Sequence, residues 1–172
     1  MMMPKTLQTM AWAYQHICLG EDPWTALGNF TNAWYDYAKS IRTALINDPL
    51  VKPEQDTEHN RHWAAFCAAS VEFLCGCYTV PCPEWVHSPD YTLLSPWYGD
   101  NVANLADTLM LQYRIKHSPP SFVQRNVFCG NRLYQNKYEM SELVQEARNK
   151  GISNPREIWH YASQKEMAIH GV

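Results

Sequence analysis

Charge is scarce in this sequence: 18% of its 172 residues are Asp, Glu, Lys or Arg, against 46% hydrophobic. Disordered chains show the opposite balance, because they bury too little apolar surface to offset the entropy of ordering. That class is excluded. Long apolar runs are missing as well. A membrane-crossing helix needs about 18 or more nearly uncharged apolar residues, and the best window, Trp63 to Cys82, is interrupted by Glu72 and ends at a pair of prolines. It reads as a buried core helix, and no membrane association is expected. Behind Lys5, the residues Gln8, Tyr14, Gln15 and His16 break the apolar run and no small-x-small cleavage site follows, so no export signal is expected. No internal repeat of solenoid period is present. Nor is there a G-x-S-x-G, a P-loop or a dinucleotide fingerprint, which leaves nucleophilic and phosphate-cradling chemistry without a sequence anchor.

What is there is aromatic: 7 Trp, 10 Tyr and 5 Phe, the load of a packed globule. At roughly 150 residues per domain, the length predicts one domain over residues 1–172. Six cysteines (Cys18, Cys67, Cys75, Cys77, Cys82 and Cys129) would staple a short secreted chain but are mostly buried thiols in a cytosolic one. Reduced thiols and a cytoplasmic location are expected.

The spacing predicts an all-α fold of about six or seven helices. Leu7, Met10, Ala11, Tyr14, Ile17 and Cys18 recur at helical period, with Gly20 as a C-terminal cap. Asp22 and Pro23 start a second stripe through Leu27, Phe30, Trp34, Tyr37, Ile41 and Leu45, as one helix or as two broken near Lys39 and Ser40. From Thr57 to about Tyr78 the stripe Trp63, Phe66, Cys67, Ser70, Val71, Leu74, Cys77 and Tyr78 runs without a gap, flanked by alanines. This predicts the central helix. Residues 80–101 hold four prolines beside Trp85, Tyr91, Leu93, Leu94, Trp97 and Tyr98, a long loop expected to be packed down. A helix through Val102, Leu105, Ala106, Leu109 and Tyr113, capped by Asp100 or Asn101, follows, then a short turn from Pro119 and Pro120 through Phe122 and Arg125, then a stretch to Lys137 with room for a short extended piece. Residues 139–172 predict a helical hairpin, its second helix opened by a capping box at Asn154, Pro155 and Glu157.

Metal chemistry finds little support in the spacing. Cys75 and Cys77 are two apart and so point about 200° from one another on a helix, whereas structural zinc sites use C-x(2 to 4)-C pairs. Glu58, His59 and His62 have the ingredients of a helical metalloprotease site, but the histidines stand at i and i+3 instead of i and i+4. No metal, no cofactor and no catalytic residue is expected.

Charge is unevenly distributed. Residues 61–107 carry one base and five acids, while residues 108–138 carry Arg114, Lys116, Arg125, Arg132 and Lys137 and no acid. A basic stretch interleaved with Tyr113, Phe122, Phe128, Tyr134 and Tyr138 suits an anionic partner or stacked bases. Its alternative is internal, pairing with the acidic segment before it. Ala147 and Gly151 fit the turn of a helix-turn-helix, but Ile158 and Tyr161 fall one place off the required apolar positions and the segment is net acidic. An ordinary hairpin is expected there.

The run D-P-W-T-A-L-G-N-F-T-N-A-W from Asp22, the central H-W-A-A-F-C-A-A-S-V-E-F-L-C, the P-W-Y at Pro96 and the stretch S-P-P-S-F-V-Q-R-N-V-F-C-G-N-R-L-Y-Q-N-K-Y-E-M resemble an uncharacterised family of small helical bacterial proteins. Related segments follow the helix-turn-helix of some regulators and occur free-standing in mobile or toxin-antitoxin-like gene neighbourhoods. The resemblance covers most of residues 22–140 and carries no activity or catalytic residues; without an N-terminal helix-turn-helix, it implies the accessory, partner-binding half. It directs attention to Arg125, Asn131, Arg132 and Lys137, with Trp97 and Tyr98 as an aromatic wall. The alternative for these residues is structural: Arg125 and Arg132 order an irregular loop through backbone carbonyls, and Pro96 to Tyr98 plug the core. Three functions are expected in order: a non-enzymatic accessory or antitoxin-like protein binding a protein partner, such as the product of an adjacent gene; a nucleic-acid-binding regulator; and an enzyme of unrecognised type.

Overall fold

The computed structural model describes residues 6–99 and 108–170. Among these the protein is all-α, with eight α-helices and no strand. The count exceeds expectation because single turns, α3 (Arg42–Ile46) and α6 (Pro120–Val123), form separate helices.

α1 (Met10–Cys18) is capped by Thr9, whose hydroxyl accepts from the Trp12 amide, and buries Met10, Ala13, Tyr14 and Ile17. α2 (Pro23–Asn32) starts as expected from an Asp22 carboxylate that accepts from the Thr25 amide. It passes directly into a π-helical turn, Ala33–Tyr37, then a 3₁₀ turn, Lys39–Ile41, before α3. The widened turn is held from outside: Arg42 donates to the Trp34 carbonyl at 2.9 Å, and its guanidinium lies 4.3 Å from the Tyr78 ring centre.

α4 (Glu58–Tyr78) is the axis of the fold. Thr57 caps it, twelve of its residues are buried, and it ends at Thr79 in the left-handed region, φ 54°. That conformation is uncommon for a β-branched residue. Trp63 and Phe66 gather a ring cluster: Trp24 and Trp97 stand edge-on to Trp63 at 5.5 and 5.2 Å, and Phe122 meets Phe66 at 5.4 Å. Aromatic edges on faces add to the burial gain.

The proline-rich loop is largely packed down, with two 3₁₀ turns, Glu84–His87 and Pro89–Tyr91. Trp85 donates its indole N–H to the Ile46 carbonyl, and Trp97 is buried. Leu94 departs from the expectation and is fully exposed. Trp97 and Val127 form an isolated parallel bridge, the short extended piece expected before Lys137. α5 (Thr108–His117) is described from Thr108 onward; the expected positions Val102, Leu105 and Ala106 and the caps Asp100 and Asn101 lie outside the described residues.

α7 (Lys137–Asn149) and α8 (Pro155–Ile169) form the hairpin, with their own small cluster of Met140, Leu143 and Ala162. The Asn154 side chain accepts from the amides of Arg156 and Glu157, as the capping residue should.

No helix among the described residues is long and apolar enough to cross a membrane. None of the six cysteines is in a disulfide. His59 and His62 open α4 whereas Cys75 and Cys77 close it, so at about 1.5 Å per residue the two groups stand roughly 20 Å apart.

Candidate functional site

The acid-free stretch divides into a part that builds the fold and a part that faces outward. Arg125 belongs to the first. It is 4% exposed, pairs with Glu72 of α4, and donates to the carbonyls of Ser121 at 2.6 Å and Val86 at 2.7 Å. One planar fork thus joins α4, α6 and the proline-rich loop, the use to which Arg is suited. Its neighbours continue the stitching: Leu93 donates to the Arg125 carbonyl, Trp97 to that of Asn126, Phe128 to that of Trp97, and the Asn126 amide to that of Leu93. Trp97 plugs the core, stacked on His62 at 4.6 Å. For Arg125 and Trp97 the internal alternative describes the geometry.

Asn131 and Arg132 lie elsewhere, on a groove between α5 and residues 129–133. Its volume is about 540 Å³, and Leu109, Met110, Tyr113, Arg114, Arg132 and Leu133 are among its lining residues, none of the described ones acidic. The Tyr113 hydroxyl donates to Asn131 Oδ1 at 2.7 Å and ties the two walls. Gly130 makes the close approach possible: its φ is +81°, and a Cβ there would stand 3.4 Å from the Tyr113 ring. Its amide donates to the Ser118 hydroxyl, which donates to the Arg114 carbonyl. Arg114 also donates to the Tyr98 carbonyl, and Tyr98 stacks on Phe128 at 5.5 Å. Tyr98 therefore borders the groove through its backbone. Arg132, Lys116 and His117 are exposed, and Leu109 is 78% exposed. Lys137 is remote from the groove; it opens α7, where its ammonium donates to Asn32 Oδ1 at 2.8 Å.

A second concentration of polar groups lies where the hairpin meets α4, and sequence reasoning missed it. The hub is Asn136, buried. Its Oδ1 accepts from the amides of Tyr138 and Glu139, its Nδ2 donates to the Tyr78 hydroxyl at 3.2 Å, and its backbone amide donates to Glu166 Oε1 at 3.2 Å. An Asn three residues before a Glu is a readable N-terminal signature. His170 closes the cluster, with Nε2 2.6 Å from Glu139 and Nδ1 3.1 Å from the Cys77 carbonyl. Burial pulls the His170 pKa down, but Glu139 and the Cys77 carbonyl outweigh it and the net shift is upward. Burial raises that of Glu166. Among the described residues, Glu139, Glu166 and His170 are the set whose spacing suits a metal ion.

The described residues define an all-helical protein with an open groove, no acid among its described lining residues, and a buried polar seam. Comparison with known protein families, with curated proteins and with solved structures finds no match to this chain.

Proposed function

We propose that this is a non-enzymatic interaction protein whose groove between α5 and residues 129–133 takes an acidic protein partner. The observation that carries the reading is the pairing of exposed apolar side chains, Leu109 above all, with the exposed cation Arg132 in a lining that holds no described acid, and Lys116, two turns beyond Leu109 on α5, is an exposed cation on the same side of that helix. Such a surface buries an apolar segment and holds carboxylates at its rim, giving complementarity that sets orientation and on-rate. Tyr113, Asn131 and Gly130 keep its walls at fixed separation. Resemblance to small bacterial proteins of toxin-antitoxin-like neighbourhoods supports a cytoplasmic accessory or neutralising role, with the partner encoded by an adjacent gene.

Co-expression with the products of flanking genes, followed by size-exclusion chromatography, tests the reading. A complex is expected that the double charge reversal Lys116→Glu, Arg132→Glu weakens at least about tenfold, while Arg156→Glu on the hairpin leaves it intact. No complex, or one indifferent to the groove variant, overturns it. Binding of random DNA or RNA that weakens steeply with salt would instead favour a nucleic-acid-binding regulator.

A further inference from the structure

The polar seam has an arrangement that packing alone does not require. Glu166 lies in the last turn of α8 and His170 is the residue that caps it, so both stand at one end of the helix, and Glu139 reaches them from the first turn of α7. One ligand atom from each lies within 4.8 Å of the others. We propose that Glu139, Glu166 and His170 form a site for a divalent transition metal of the zinc class, joining the start of α7 to the end of α8.

Four observations support the assignment. A carbonyl only accepts, so the 3.1 Å approach of His170 Nδ1 to the Cys77 carbonyl puts the hydrogen on Nδ1 and leaves Nε2 directed at the carboxylates. That is the tautomer and the outer-sphere support found for metal-bound imidazole. Asn136 orients both acids, through its amide to Glu166 and its side chain to the Glu139 backbone. Beside them lies a cavity of about 10 Å³ lined by Glu166 and His170, a volume on the order of one water. Finally, the hydroxyl of Tyr35, 7% exposed, has no hydrogen-bond partner, and its electrostatic neighbours are Tyr78 and Tyr134, then Glu166 and Cys77. A metal-bound water would give this orphaned group a partner.

Charge points the same way. As ligands, two carboxylates and a neutral imidazole sum to −2, a charge that a dication neutralises in a seam where Glu166 is 4% exposed; without the ion, a proton shared between His170 Nε2 and Glu139 at 2.6 Å takes its place. The imidazole selects against calcium and magnesium, which prefer oxygen ligands alone. Small side-chain rotations bring the three atoms to the roughly 2.0–2.2 Å at which zinc is held by nitrogen and oxygen.

The test uses the full chain without a histidine tag, stripped by chelator and titrated with cobalt(II) and then zinc. One equivalent of cobalt is expected, with visible d–d absorption, no thiolate charge-transfer band, and displacement by zinc. Hydrogen exchange in α7 and α8 should slow on adding zinc, a readout that needs no variant. Glu166→Gln and His170→Gln, chosen to keep hydrogen bonding, should each weaken zinc at least about tenfold, and Cys77→Ser should not. Substoichiometric metal, a thiolate band, unchanged affinity in both Gln variants, or exchange in the hairpin indifferent to zinc overturns the proposal.

Discussion

The body around α4 and the C-terminal hairpin are held by different forces. In the body, Trp34, Trp63, Phe30, Phe66 and Phe122 are fully or almost fully buried and interlock through their rings. In the hairpin, three residues make up the buried apolar cluster, and its polar attachments to the body include Asn136 to Tyr78, His170 to the Cys77 carbonyl and Lys137 to Asn32. Apolar burial is non-directional and accumulates with area. A polar attachment contributes little net free energy while its groups stay paired, and costs much when one is left alone. The body should therefore set global stability and the hairpin should open first.

The largest break falls in the body. Trp63→Ala removes a ring in contact with Trp24, Phe66 and Trp97 and should cost about 3–5 kcal/mol, unfolding body and hairpin together in a single urea transition shifted to lower concentration. Next is Arg125→Lys. A lysine cannot make the fork that reaches Glu72, Ser121 and Val86 together, and a loss of about 2–3 kcal/mol is expected, with hydrogen exchange rising in the proline-rich loop and in α6.

The hairpin supplies the contrast. Leu143 sits in its small cluster, and Leu143→Ala should cost about 2 kcal/mol locally. Exchange should rise across α7 and α8 while α4 stays protected. Equal loss of protection in α4 would show that the two regions unfold as one.

The difference between the regions also explains what could be read in advance. The α4 stripe was legible because burial on one face leaves a 3.6-residue period, and the caps at Asp22, Thr57 and Asn154 were legible because capping uses few residue types. The π-helical turn at Ala33–Tyr37 leaves no periodic signature, since one extra residue merely rotates the stripe. Arg125 carried two readings, and only its neighbours in space, Glu72 and Val86, distinguish them. The seam is hardest: Glu139 and Glu166 are on separate helices, and only the hairpin's pairing brings them together. Its readable traces are the i, i+4 spacing of Glu166 and His170 and the Asn136 cap. The groove was half legible, through the absence of acids over residues 108–138, while its walls needed Tyr113 opposite Asn131.

Alkaline titration acts on the body. Burial raises the pKa values of Tyr35, Tyr78 and Tyr134 above the ordinary phenol value. A group whose folded pKa exceeds its unfolded one contributes stability that is full below the unfolded value, about 10 for tyrosine, and is lost as pH rises through the folded value. Burial raises the pKa values of Cys67, Cys75 and Cys77 as well, so with the thiols reduced the melting temperature should hold up to about pH 8.5, the ordinary thiol value, and fall more steeply above about pH 10, with the phenolate absorbance appearing together with unfolding. A smooth titration of these tyrosines in folded protein would contradict the burial.

The smallest expected effect has the opposite sign and lies where the two regions meet. Tyr35 is buried beside Tyr78, at a ring separation of 6.1 Å, and its hydroxyl has no hydrogen-bond partner. In the unfolded chain water satisfies that hydroxyl, so folding leaves its desolvation uncompensated. Phenylalanine keeps the ring and removes the debt. Tyr35→Phe should therefore stabilise the chelator-treated protein by about 1 kcal/mol in urea denaturation. A loss of similar size instead would mean that the hydroxyl has a partner in solution, which at this depth is a bound water in the seam. The substitution thus measures directly whether the junction between body and hairpin is dry.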